Sequence, residues 1–253
     1  MKSTESLKIA FYGDDFTGST DALDFLSRAG LKTILFLKPP SREQLKEYAG
    51  LDAIGISGMT RSMTPEGIEK ELNHAFNLLK DLHIPHVHYK VCSTFDSSPE
   101  TGSIGKAIDI GAKIFQSAFI PLVVAAPALG RFCIFGNLFA RMGIGSQGLI
   151  YRLDRHPSMK NHPVTPSDES DLRIHLAKQT NKHIDLIDIL DISREIEQTI
   201  GKIETKIHNR RFITVLILFS LMACMVNICI KSGPYWITIA KPGEACSRLG
   251  HPA

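Results

Sequence analysis

Short apolar runs rich in β-branched residues alternate along the chain with amphipathic segments. "LKIAFYG" (7–13) is followed by a predicted helix from about Thr17 to Ala29, then by "KTILFL" after Gly30. The same rhythm continues through "AIGISG" (Ala53 to Gly58), a helix opened by Thr64 as N-cap with Pro65 as its first residue, and "HVHYKV" (His86 to Val91). A helix from about Thr101 to Gln116 and the strand "PLVVAAP" (Pro121 to Pro127) complete this part. The strands are apolar without clean alternation, as strands covered on both faces are. The pattern predicts an α/β fold, a mostly parallel sheet flanked by helices.

Beyond Pro127 the pattern changes. "RFCIFGNLFAR" and "GLIYRLD" read as two extended segments joined through "MGIGSQG", a small antiparallel excursion around 131–153. A proline- and histidine-rich loop follows, with Ser167 or Asp168 as the expected cap of a short helix. The α/β rhythm resumes in "HIDLIDI" and the helix "SREIEQTIGKIETKI". Phe212 to Ile230 is a 19-residue stretch without a charge. Its length permits a membrane span. Ser220, Asn227 and two cysteines within it, and the α/β pattern upstream, favour a buried strand, "FITVLILF", followed by something else, so a membrane partner is not expected.

Composition narrows the function classes. The formal charge is +3, and its basic residues form no dense block, so nucleic acid is not an expected partner. Five cysteines without a paired CxxC spacing suit a reducing compartment, and the N-terminus is too short in apolar residues for a secretory signal, which together predict a cytoplasmic protein. His83, His86 and His88 resemble a metal cluster only superficially, and no metal site is expected there.

In an open parallel sheet, ligands bind beyond the carboxyl ends of the strands. Polar outliers gather there: Asp14, Asp15 and Thr17 after the first strand; Ser57, Thr60, Arg61 and Ser62 after the third; Lys90, Ser93, Thr94, Asp96, Ser97 and Ser98 after the fourth. Carboxylates, two cations and many hydroxyls suit a small, polyhydroxylated anion. Arg61 offers a planar fork and Lys90 a compact charge for such an anion, unless either serves a surface ion pair. Asp14 or Asp15 can take a proton from a hydroxyl or orient it; capping the following helix would explain one aspartate but not two. "CSTFDSSPETGSIG" reads either as an anion cradle, with Gly102 and Gly105 allowing close backbone approach, or as a serine-rich capped loop. It is not a P-loop. Arg152, Asp154, Arg155 and His156 form either a structural Arg-Asp pair or an extension of the anion site.

With these segments in order, the chain resembles the four-carbon acid sugar kinases, which phosphorylate tetronates such as threonate, erythronate and 3-oxo-tetronate. The stretches that carry the likeness are "GDDFTGSTDAL", "GMTRSMTPE", "YKVCSTFDSSPETGSIGKAID", "APALGRFCIFGNLFAR" and "YRLDRHPSMKNHPVTPSDESDLRIHLAKQT". The resemblance implies an N-terminal, substrate-binding domain over residues 1–219 and a sugar-acid ligand contacted by Asp14, Arg61, Lys90, Ser93, Thr94 and Asp96. It implies Asp14 or Asp15 as the catalytic carboxylate and ATP with Mg2+ as co-substrate. Family members continue into a second α/β domain with glycine-rich loops that hold ATP, and residues 220–253 do not resemble it. The expectation is that a frameshift or premature end has replaced that domain, leaving a catalytically incomplete remnant as the alternative to a kinase. A homo-oligomer is compatible with the sequence.

Overall fold

Ala10, Phe11 and Tyr12 are all buried, and because successive side chains of a strand point to opposite faces, both faces of the first strand must be covered. In the computed structural model, Phe11 packs on one side against Ala22, Leu23 and Leu26 of the first helix. On the other side Tyr12 stacks on Tyr89 and meets Phe76 edge-on. The structure describes residues 7–48, 50–117, 119–143, 147–208, 214–219 and 227–231.

In chain order the elements are β1 (Ile9–Gly13), α1 (Phe16–Arg28), β2 (Thr33–Phe36), α2 (Arg42–Lys46), β3 (Ala53–Ser57), α3 (Pro65–Asp81), β4 (His86–Lys90), α4 (Ile104–Phe115) and β5 (Phe119–Val124). Then come β6 (Arg131–Ile134), β7 (Asn137–Arg141), β8 (Ile150–Arg152), α5 (Pro157–Lys160), α6 (Leu172–Ala177), β9 (His183–Ile187), α7 (Ile189–Ile192), α8 (Ile196–His208), β10 (Thr214–Phe219) and β11 (Asn227–Lys231). The main sheet has the order β2-β3-β1-β4-β11-β5-β10-β9. All its strands run parallel except β11, which lies antiparallel between β4 and β5. The α/β class and the small antiparallel sheet, β6-β7-β8, agree with the sequence pattern.

Several expectations change in detail. The excursion holds three strands, because Phe135-Gly136 forms a two-residue turn inside "RFCIFGNLFAR". Both turn residues have positive φ, 50° and 84°. This is the backbone twist that hairpins favour, and Gly supplies half of it without strain. Phe135, half exposed at the tip, does not. Replacing it with Asn, which visits the left-handed region readily, is expected to raise stability by about 1 kcal/mol, read as a higher urea midpoint with an unchanged slope. The cap of α6 is Asp171, whose side chain accepts from Arg173 N, rather than Ser167 or Asp168. Asp168 instead pairs with Lys178. The short helix α2 was not expected; Ser41 and Gln44 close a reciprocal capping box around its start.

"FITVLILF" takes the strand reading: Thr214–Phe219 pairs with β5 on one side and β9 on the other. Among the described residues no helix is long and apolar enough to cross a membrane. The expected out-of-frame tail falls at 220–253, of which only β11 lies within the described residues.

Candidate functional site

Parallel register sets the site. Gly13, the last residue of β1, stands level with Ser57 of β3 and Lys90 of β4, so the three following loops leave the sheet side by side. Asp14 ties them together. Its N–H donates to Lys90 O at 2.9 Å, its carbonyl accepts from Arg61 N at 3.1 Å, and its Oδ2 accepts from Cys92 N at 3.2 Å. Gly102, with φ of 64°, passes so close beneath the second loop that a Cβ there would lie 2.4 Å from Arg61 O. A Cβ on Gly105 would strike Gln179 at 2.5 Å. The close approach these glycines permit is therefore to the protein's own chain.

The two adjacent aspartates have different surroundings. Asp15 caps α1, its Oδ1 accepting from Gly18 N at 2.7 Å, and its Oδ2 is held by Arg61 Nη2. Both oxygens are occupied. Asp14 is 3% exposed, and its Oδ1 is buried with no hydrogen-bond partner among the described residues. Burial pushes its carboxyl up to about 6, against the pull of Arg61 and Lys90.

Arg61 spans the loops. Besides Asp15, its Nη1 stands 3.7 Å from Asp96 Oδ2. Its fork is thus turned toward protein carboxylates. Asp96 keeps a second oxygen, Oδ1, buried and without a partner among the described residues. Lys90 is 6% exposed, with Nζ donating to Val91 O at 2.8 Å. It fits because position 18 is glycine: a Cβ there would lie 2.8 Å from Nζ. Thr94 is buried and shares a hydrogen bond of 3.0 Å with Cys92 Sγ, while Ser93 stands half-buried between them. Burial pushes the Cys92 thiol up.

Neighbouring groups hold these in place. Thr60 Oγ1 and Tyr89 Oη are 2.8 Å apart, and burial raises the Tyr89 phenol, which stays neutral. Ser97 Oγ lies 2.9 Å from His175 Nε2 and accepts from Gln179 Nε2 at 3.0 Å, anchoring the loop after β4 to α6 and the turn that follows it. Two residues before Lys90 on the same strand, His88 is buried and pushed down to about 3, so it adds no charge. Arg152 and Asp154 form a two-bonded pair at 2.7 and 2.5 Å. Among the described residues no group of three or more His, Cys, Asp or Glu side chains is arranged to hold a metal ion.

One cation near the site was not singled out from the sequence. Arg131 opens β6, and its backbone exchanges two hydrogen bonds of 3.1 Å with Ala126, two residues beyond the end of β5. It is 7% exposed. The available signal was a lone arginine within the apolar run "ALGRFCIFG".

A family model described as a sugar-binding N-terminal domain matches residues 9–216. A 3-oxo-isoapionate kinase of Paraburkholderia graminis is 48% identical over 186 residues, which is 74% of this chain and 39% of that protein. A 3-oxo-tetronate kinase of Methylobacterium radiotolerans is 30% identical over 200 residues, 79% of this chain and 44% of that protein. The crystal structure of a Haemophilus influenzae protein superposes with a TM-score of 0.70 at 25% identity, covering 84% of this chain and 48% of the other. The chain spans about two fifths of the length of these two kinases.

Proposed function

Since the chain belongs to the family of sugar-binding N-terminal domains, we propose that it binds a four-carbon sugar acid, a 3-oxo-tetronate or a threonate or erythronate, as the acceptor half of an ATP-dependent kinase. The observation that carries this reading is the pair of buried, unpartnered carboxylate oxygens, Asp14 Oδ1 and Asp96 Oδ1, set among buried cations. A buried acceptor without a donor costs about 1–3 kcal/mol, which a ligand hydroxyl recovers. Two such acceptors call for a polyol, and the neighbouring cations call for an acid.

The roles follow from the contacts. Asp14 takes the reacting hydroxyl: at about 6 its carboxyl is ionised at neutral pH yet more basic than an ordinary aspartate, as a proton acceptor should be. Asp96 takes a second hydroxyl. Lys90 supplies positive charge, and Ser93 and Thr94 line the same loop. Asp15 acts through Arg61, which it holds in place, so of the two aspartates Asp14 is the one in contact with the ligand. ATP with Mg2+ would supply the phosphoryl group. The part proposed for the residues gathered at this edge is to bind the acid and accept its proton.

Calorimetric titration of the chain with 3-oxo-tetronate, threonate and erythronate, with and without magnesium ATP, tests the reading. Binding of at least one acid is expected. Phosphate transfer alongside it would establish a kinase, binding alone a sugar-acid-binding module, and no heat with any acid would overturn both.

Gly18→Ala offers a sharper check. Alanine favours a helix by about 1 kcal/mol over glycine, but the new methyl would lie 2.7 Å from Asp15 Oδ1, the cap of α1, and 2.8 Å from Lys90 Nζ, so both must shift. The expected result is roughly tenfold weaker acid binding, equivalent to about 1.4 kcal/mol, with a melting temperature no higher than that of wild type because the disturbed cap offsets the helix gain. Unchanged affinity would remove Lys90 from the site.

A further inference from the structure

Charge near the site balances in an unusual way. Asp14, Asp15 and Asp96 face Arg61, Lys90 and Arg131, but the pairing is uneven. Arg61 engages Asp15 and Asp96, and Lys90 lies close to Asp15 across Gly18. Among the described residues no carboxylate lies within ion-pair distance of Arg131. Its Nη1 donates to the carbonyls of Leu129 at 3.0 Å, and of Gly130 and Arg141 at 3.4 Å each. Its Nε is buried without a partner among the described residues. A buried guanidinium satisfied only by carbonyl dipoles is costly, since buried charges are normally paired.

Its position explains what could pair with it. The Ala126–Arg131 bridge sets the residue just past the carboxyl end of β5, the same sheet edge from which the loops carrying Asp14, Arg61 and Asp96 emerge. The fields of Cys92 and Asp96 act on the guanidinium, although Asp96 is beyond ion-pair reach. Ala125, immediately before the bridge, is fully buried with φ of 110°, a conformation that L-residues adopt only when their surroundings impose it.

We propose that Arg131 is a ligand-binding residue of this site and supplies the counter-charge for the carboxylate of the bound acid. The proposal rests on the sugar-acid reading given above. Arg61, spanning Asp15 and Asp96, then shapes the hydroxyl end, while Arg131 decides that an acid rather than an uncharged polyol is accepted.

The test compares wild type, Arg131→Gln and Arg131→Lys, as the full chain, in binding erythronate, threonate and the uncharged polyol erythritol, with the melting temperature of each variant taken without ligand. Arg131→Gln is expected to lose at least about 30-fold in affinity for the acids while erythritol binding stays within about twofold. Its ligand-free melting temperature should be equal to or above that of wild type, because an unpaired buried charge has gone. Arg131→Lys should recover part of the acid preference. Equal loss for acid and polyol, or an unchanged preference for acid in either folded variant, would assign Arg131 a structural role and overturn the proposal. Should wild type bind neither acid, inorganic phosphate serves as the probe. Stabilisation by phosphate that vanishes in Arg131→Gln would keep the anion subsite and discard the sugar-acid reading, whereas no stabilisation of wild type would discard both.

Discussion

Asp14→Asn should flatten the pH dependence of stability between about pH 4 and pH 6 and sharply weaken ligand binding at the same time. The carboxyl of Asp14 rises from 3.8 in the ordinary state to about 6 in the folded chain. The folded state therefore holds this proton more tightly than the unfolded one. Its contribution is intact below about pH 4 and is lost as pH rises through about 6, the reverse of a salt-bridged aspartate. A difference of about two pH units corresponds to about 3 kcal/mol. Wild type should thus lose up to about 3 kcal/mol relative to the variant between pH 4 and pH 7.5, read from urea unfolding at several pH values. Parallel pH profiles for the two proteins would show that Asp14 is not the titrating group. On the functional side, the side-chain carbonyl introduced by Asp14→Asn would keep the hydrogen bond from Cys92 N, leaving an amide where the unpartnered oxygen stood. A hydroxyl donor then meets another donor, and acid binding is expected to fall by about 100-fold, or about 2.7 kcal/mol. The group that weakens the free protein at neutral pH is the group the ligand needs.

Arg61→Met carries the second large effect. Arg61 joins Asp15 to Asp96, and its N–H donates to the carbonyl of Asp14, so one side chain and one peptide link two loops to the third. Removing the guanidinium leaves three carboxylates in one neighbourhood with one cation fewer. With both partners only partly exposed, a loss of about 2–3 kcal/mol at pH 7 is expected, between the surface and buried limits for ion pairs. Asp14 should be pushed above about 6, because Arg61 is the foremost of the groups holding it down. The destabilisation should therefore shrink at pH 5, where protonation relieves the repulsion. A loss of the same size at both pH values would point to packing instead. Arg61→Lys should restore little, since an ammonium cannot reach two carboxylates as a fork does.

The βα rhythm was legible because it depends on local pattern: apolar runs long enough for a strand and capping residues such as Thr64 and Pro65, which the structure uses as N-cap and first helical residue. The gathering of Asp14, Arg61 and Lys90 at one edge follows from parallel strand order, and it too was legible. What the sequence left ambiguous depends on contacts across the fold. Asp14 and Asp15 are neighbours with the same side chain, and only the position of Arg61, 46 residues away in sequence, gives Asp15 a second partner beside the local Gly18 N, while Asp14 stays one oxygen short. The Phe135-Gly136 turn lacks the Asn-Gly or Asp-Gly signature, so the hairpin stayed hidden within an apolar run. Asp171 displaced Ser167 and Asp168 as the cap because Ser170, its neighbour, is pinned to Asn137 of β7, which fixes where the helix starts. Arg131 carries no local motif at all; its meaning lies in the bridge to Ala126.

The antiparallel strand β11 has a consequence for synthesis. It joins β4 to β5, yet among the described strands of the main sheet it is the last to be made, so during translation the sheet exists as two half-sheets with open inner edges. Each edge is a row of unpaired peptide groups able to recruit a strand from another chain. Lys90 ends one of those edges and is the partner of Asn227 in the finished ladder. A nascent chain that stalls before Asn227 would leave the strand that ends in Lys90 exposed to a neighbour on the same polysome, and strand exchange between copies would begin at the seam beside the edge where Asp14, Arg61 and Lys90 gather.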